Sequence, residues 1–352
     1  MITIFGSGKT ATYEEIGAIE ILRSQGTDVQ VCLSPDSNDG DLHAARLVLS
    51  HFHVDVFRYY EGAFAEIDKL LVFGRVEAFD IMRAHNDKPG WVFYSPNNLC
   101  PSNAEIEALK DNWIDEIFTK SSFYATSYTR ELILKANKGV EHKMGYMPFC
   151  NPDSAFTKLR FQERQPNNSF IVLQDAPDSV EHCFSDHWRT ACKINVPHDK
   201  IKKLRVLNWG ENKISVAGNI GNPLCKWNGE VAASVSPRAP HWEDLSEEYS
   251  TPDVALNFYP AEEPFAFNTA RAILSGIPVV GGASRAHREL LRHGETGFLA
   301  RSGDEAAYLT SRLAWEPFLR AEIAAKAYNC FITDGPGNMD KCLSWWRQIE
   351  VV

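Results

Sequence analysis

Short apolar runs alternate with segments of helical spacing along most of this chain, and the alternation occurs in two series. ITIFG opens the first. Tyr13 to Ser24 then carries Ile16, Ile19, Ile21 and Leu22 at helical spacing, and Gly26 closes the segment. VQVCL (29–33) reads as a second strand. Helix 41–50 leads to strand 54–59, and strand 69–73 to helix 75–84. Strand 90–94, helix 104–112, strand 116–119 and helix 124–136 follow. Strands joined through helices run parallel, so the series predicts a doubly wound parallel sheet.

Residues 151–167 (NPDSAFTKLRFQERQPN) are polar and hold two prolines, the signature of a linker. A second series begins beyond them. Strand 169–173 precedes helix 179–194, and strand 204–209 ends at Gly210. Strands 230–236 and 254–260, helix 268–275, strand 278–281 and helix 285–292 come next. The tail is helical over 316–328 and 338–352. The expected architecture is α/β, with two Rossmann-like doubly wound domains facing a cleft. Residues 1–155 form the first domain and 165–335 the second. Residues 336–352 form a terminal helix packing back toward the first. Ligands of such sheets sit at the strand carboxyl ends. Two facing sheets accommodate two substrates, which suits a transferase better than a binder of one ligand.

Composition narrows the function classes. Of the 352 residues 44% are hydrophobic and 23% charged, as in soluble globular proteins. No window holds 18 uninterrupted apolar residues, and the opening MITIFGSG is too short for a signal-peptide core. The eight cysteines form no CxxC and no zinc spacing with histidine, which points to free thiols in a reducing cytoplasm. The net charge is −10. Residues 1–150 hold 14 Lys+Arg against 21 Asp+Glu, and the remainder holds 22 against 25. An acidic first half argues against a broad DNA-binding face and against docking on anionic lipid.

Gly6-Ser7-Gly8-Lys9-Thr10 resembles the end of a phosphate-binding P-loop, whose full form is GxxxxGK[ST]. Counting back five from Gly8 reaches Thr3, inside the first strand, so the loop is too short to wrap a triphosphate. Two readings remain. Small residues between a strand and a helix let backbone N–H groups approach an anion, making Gly6, Ser7, Gly8 and Lys9 a candidate phosphate or acceptor loop. The alternative is a tight turn without a ligand.

The most specific stretch is VALNFYPAEEPFAFNTARAILSGIPVVGGASRAHRELLRHGETGFLARSGD (254–304). Glu263-Pro264-Phe265-Ala266, Ser275-Gly276-Ile277-Pro278-Val279-Val280, Glu289, Gly294-Glu295-Thr296-Gly297-Phe298-Leu299 and Asp304 follow one another as in the nucleotide-sugar half of the family 4 glycosyltransferases. The chain resembles these GT-B enzymes. Weaker likeness reaches Ile117–Ser121, Met147–Asn151 and the Trp345-Trp346 tail. The resemblance implies a metal-independent enzyme that moves a hexosyl group from a nucleotide diphosphate sugar, UDP-linked by preference, to an acceptor hydroxyl. It implies no cofactor. Glu263 is then the catalytic-site carboxylate holding sugar hydroxyls. Pro264, Phe265, Ala266, Phe267, Asn268, Arg271 and Gly210 form the donor side, and Ser95 and Asn97 the acceptor side. Apart from the resemblance, Glu262 and Glu263 also read as an acidic loop before a helix start.

Three positions depart from the family. Arg271 stands eight residues after Glu263, where a second Glu binds ribose; an arginine donates hydrogen bonds but accepts none. It pairs with phosphate, pairs with a local acid, or faces solvent. The loop Gln174-Asp175-Ala176-Pro177-Asp178 lacks the usual basic pair, for which Lys9 or Arg271 would have to substitute. The stretch Phe93–Asn98 lacks the usual histidine. An inverting enzyme needs a base near the acceptor hydroxyl; the resemblance is to a retaining family and so implies retention, in which the leaving phosphate can take the proton without a protein base. His51, His53, Asp36, Asp39 and Asp41 read as surface or strand-end residues. Trp209-Gly210 reads as a turn, and the basic run Lys200–Arg205 as a solvated strand entry. Trp227, His241 and Trp242 carry no assignment. The Asp175/Asp178 and Asp36/Asp39 pairs lack calcium-loop spacing, so no metal is expected. The rival readings are an epimerase or phosphorylase on the same fold, and a non-catalytic nucleotide binder. The acceptor is a glycan, a lipid, a small metabolite or, as an alternative, a hydroxymethylated DNA base.

Overall fold

The computed structural model describes residues 1–6, 13–119, 122–144, 158–164, 168–176, 189–208, 232–235, 245–258 and 265–351. The chain divides into two compact units. One comprises Met1–Asn151 with Pro336–Val352, the other Pro152–Gly335.

The first unit is built on seven parallel strands: β1 (Ile2–Gly6), β2 (Val29–Leu33), β3 (Asp55–Arg58), β4 (Lys69–Phe73), β5 (Trp91–Ser95), β6 (Glu116–Thr119) and β7 (Glu141–Met144). Their order is β3-β2-β1-β4-β5-β6-β7. Helices α1 (Tyr13–Ser24), α2 (Asp39–Leu49), α3 (Glu77–His85), α4 (Asn103–Lys110) and α5 (Ser122–Ala136) connect them. β1 and β4 are buried at every position, which is why they read as mostly apolar runs. β7 escapes sequence reading because EHKM has no apolar run; it is an edge strand paired only with β6.

Capping fixes two helix starts. Asn38 and Ser102 each accept from the third backbone N–H of α2 and α4, and Asp41 and Glu105 reach back to the capping amide. Glu105 is fully buried. It accepts from Tyr94 Oη at 2.5 Å and Tyr128 Oη at 2.6 Å, which ties β5 to α4 and α5. The terminal helix α11 (Met339–Val351) also belongs to this unit. Trp345 meets Phe118 with ring centroids 5.2 Å apart, and Trp346 is fully buried. Lys69 Nζ donates to Ile349 O at 3.0 Å, placing a cation at the negative end of that helix.

The second unit carries six parallel strands: β8 (Ser169–Ala176), β9 (Ile201–Asn208), β10 (Ala232–Val235), β11 (Val254–Asn257), β12 (Val279–Gly282) and β13 (Phe298–Ala300). Their order is β10-β9-β8-β11-β12-β13. Its helices are α6 (Leu245–Glu248), α7 (Phe267–Leu274), α8 (Arg285–Leu290), α9 (Gly303–Trp315) and α10 (Pro317–Thr333), besides helical residues 189–193. Phe170, Val172, Leu204, Val254, Leu256, Val280 and Phe298 form one core with α9.

The basic run entering β9 needs correction. Lys202 is not solvated. It is 9% exposed, and its ammonium donates to Ala191 O, Cys192 O and Ile194 O, closing the carbonyl end of helical residues 189–193. Burial pushes its pKa down to about 8. No described helix is long and apolar enough to cross a membrane.

Candidate functional site

A doubly wound sheet has one place where the chain order reverses, and the loops there part to leave a crevice at the strand carboxyl ends. In the second unit that place lies between β8 and β11. The stretch that carries the family resemblance supplies β11, α7, β12, α8 and β13 around it.

Two polar side chains mark this point. Gln174, near the end of β8, is fully buried, and neither amide atom has a hydrogen-bond partner among the described residues. Asn257 closes β11. Its Nδ2 donates to Thr269 Oγ1 at 3.0 Å, tying the strand end to the first turn of α7, while its Oδ1 has no partner among the described residues. Buried polar groups almost always find partners, which makes the Gln174 amide and the Asn257 Oδ1 candidate ligand contacts at this switch point. Sequence reading passed over both. The available signal was one amide residue ending each apolar run, FIVLQ and VALN.

The start of α7 has no side-chain cap. Ala266 stands at the capping position, no acid lies in the first turn, and Phe267 N bonds back to Phe265 O at 3.0 Å. Asn268 Oδ1 accepts from Thr269 N at 2.8 Å. Phe265 and Ala266 are buried, with the Phe265 ring 5.1 Å from that of Phe267. Arg271 is 9% exposed, so of the three environments considered for it, solvent is ruled out by burial. Glu263, Pro264 and Gly210 lie outside the described residues.

His287 on α8 packs against β12. A Cβ on Gly281 would stand 2.7 Å from its ring, so glycine is required there for this approach. Its Nδ1 lies 2.8 Å from Ser284 Oγ, the residue that caps α8. Burial pushes its pKa down to about 4. A histidine depressed below its unfolded value of about 6.5 lends stability above that pH and loses it as pH falls toward 4. At pH 5 the loss is about 2 kcal/mol, or about 4–8 °C in the melting temperature of a domain this size. Melting curves from pH 7 to pH 5 check this, and His287→Gln should flatten the response.

In the first unit the order reverses between β1 and β4. Gly6 ends β1, with Glu15 Oε2 3.8 Å from the place its Cβ would occupy. Arg75 follows β4 and pairs with Glu15 at 2.8 Å, the two side chains being 17% and 3% exposed. Gly74 has φ +65°, and Asn97 packs where its Cβ would stand. Gly74 N donates to Ser95 O at 2.7 Å. Ser95 is fully buried, and its Oγ has no partner among the described residues. Gly6, Ser95 and Asn97 therefore gather at one sheet edge, together with the Glu15–Arg75 pair. No sequence signal joined those two, 60 positions apart. Ser7, Gly8 and Lys9 lie outside the described residues. Among the described residues no three His, Cys, Asp or Glu groups cluster as metal ligands.

No family model matches the chain, and no curated protein matches it in sequence. Solved structures do match. HepE from Anabaena in complex with UDP-glucose superposes with a TM-score of 0.70 at 16% identity, over 100% of both chains. A glycosyltransferase from Rickettsia africae gives 0.68 at 11% identity, over 99% of this chain and 97% of its own. Sucrose-phosphate synthase from Thermosynechococcus elongatus gives 0.63 at 13%, over 99% and 96%. Over its whole length, then, the chain has the fold of the GT-B glycosyltransferases, two Rossmann-like units in succession.

Proposed function

We propose that the protein is a glycosyltransferase that moves a hexosyl group from a UDP-sugar to an acceptor hydroxyl. The observation that carries this is the placement of β11, α7, β12, α8 and β13, from the stretch that resembles a nucleotide-sugar half, around the β8/β11 switch point, in a fold matching HepE with UDP-glucose end to end. The domain assigned to residues 165–335, within the second unit, takes the donor. Glu263 holds sugar hydroxyls, the backbone of Pro264–Phe267 with Asn268 meets the diphosphate side, and Gln174 and Asn257 add amides for base or ribose. Arg271 braces this region from within, and Gly210 borders it. The domain assigned to residues 1–155 takes the acceptor at Gly6–Lys9, Ser95 and Asn97, and the tail 336–352 completes that unit.

Retention of anomeric configuration is part of the proposal. The carboxylate found at the first switch point, Glu15, is held by Arg75, which suits it to positioning rather than proton abstraction. The departing diphosphate oxygen then takes the acceptor proton while the C1–O bond to phosphate breaks and the new bond forms on the same face. No metal or cofactor is needed in this scheme, and the chain acts in the cytoplasm. The test is incubation with UDP-glucose and a panel of glycan, lipid, small-metabolite and hydroxymethylated-DNA acceptors. UDP release that requires one acceptor class, with an α-linked product by proton NMR, supports the proposal. UDP formation without an acceptor, or a β-linked product, contradicts it.

A further inference from the structure

The second unit holds a cavity of about 670 Å³ on the edge opposite the switch point. Gly276 and Pro278 precede β12, Lys200 precedes β9, and Arg164 lies just upstream of β8, so this is the amino-terminal edge of the parallel sheet. Nothing in the transferase reading uses it. Its volume is that of a small-molecule site.

The lining has two chemistries. Phe161, Pro197, Pro278, Ala314, Trp315 and Ala324 make apolar walls. Positive charge gathers at one side. Arg164 is held by three neutral carbonyls, Tyr249 O, Ser250 O and Ser275 O, and burial lowers its pKa to about 10. Arg320 has only loose contacts: Asp253 Oδ1 at 3.4 Å, Leu313 O at 3.5 Å and the Phe170 ring at 5.4 Å. A guanidinium carries five donors, so most of Arg320's are uncommitted. Arg320 also sits in the first turn of α10, whose start has Pro317 and no side-chain cap, adding the positive end of a 17-residue helix. Asp253 is the buried acid facing both arginines, and its ionised form is disfavoured by burial. Glu163 and Asp199 line the cavity from exposed positions at its rim.

We infer that this cavity is a binding site for a small organic acid with an apolar body, its carboxylate on Arg320 and its body against Trp315, Phe161 and the α10 alanines. A planar fork of donors matches a carboxylate, and the apolar walls exclude a bare inorganic anion as the preferred ligand. Such a ligand sits across the sheet from the donor site and leaves it open, which suits an effector.

The experiment is calorimetric titration of the full chain with 4-phenylbutyrate, 4-phenylbutanol and inorganic phosphate. The site predicts one saturable phenylbutyrate site with Kd roughly 0.1–1 mM, and at least ten-fold weaker binding of the alcohol and of phosphate. Arg320→Met should weaken phenylbutyrate at least ten-fold. Because that change also frees Asp253, Ala321→Trp, which fills the cavity from α10 and leaves every charge in place, should abolish binding while UDP binding persists. Absence of saturable phenylbutyrate binding, equal binding of the alcohol, tighter binding of phosphate, or binding unchanged in Ala321→Trp would each overturn the inference. None of these outcomes depends on whether the protein transfers sugar.

Discussion

Replacing Glu263 by alanine should lower kcat/KM for sugar transfer roughly 10²-fold or more while leaving the melting temperature within about 1–2 °C of the parent. A carboxylate that grips sugar hydroxyls acts most strongly when the ring flattens toward the transition state, so its loss falls mainly on kcat. UDP binding should change little, because the proposed site assigns the nucleotide to backbone groups and to the amides of β8 and β11. Steady-state kinetics with UDP-glucose, beside a UDP titration, separate the two effects. Transfer at near-parental rate would place the sugar-binding carboxylate elsewhere. Loss of UDP affinity in proportion would make Glu263 a residue that only shapes the loop.

The second large effect concerns the first unit. Arg75→Met should destabilise the protein by about 3 kcal/mol, because it takes this guanidinium from the carboxylate of Glu15, itself 3% exposed. Adding Glu15→Gln removes that carboxylate's charge and should recover most of the loss. Denaturant titrations of the two single variants and the double variant form a cycle that reads the coupling directly. Additive losses would show that the pair contributes through packing of two separate side chains rather than through charge.

Much of the fold was legible because it rests on short-range patterns. β1, β4 and β11 are buried along their whole length and announce themselves as apolar runs, and α1 and α3 show helical spacing. β7 was not legible, since an edge strand reading EHKM needs no apolar side chains. β13 and α9 were passed over for another reason: FLA is three residues long, and α9 follows it after only two. Lys202 misled because a basic run usually lies in solvent, whereas here one member of the run turns inward to three helix-end carbonyls.

The candidate site divides along the same line. The resemblance located the β11–α7–β12 stretch because its pieces are close in sequence. Gln174 and Asn257 stand near the ends of adjacent strands, and Glu15 pairs with Arg75, only because parallel strands bring distant segments to one sheet edge. Long-range pairings of that kind leave no spacing in the sequence to count. Arg271 shows the converse. Its departure from the family pattern was plain in the sequence, while its burial, which rules out a solvent-facing role, needed the fold.

The proposed function requires that the second unit hold a nucleotide-sugar site. Thermal-shift titration of the protein with UDP, UDP-glucose, ADP, GDP and their sugars tests it most directly. A ligand that binds only the folded state stabilises it by mass action, by about 2.7 kcal/mol at a hundred-fold excess over Kd. A saturable upward shift with UDP and UDP-glucose that survives Ala321→Trp is expected, with smaller shifts for the other nucleotides. No shift with any nucleotide or nucleotide sugar would contradict it.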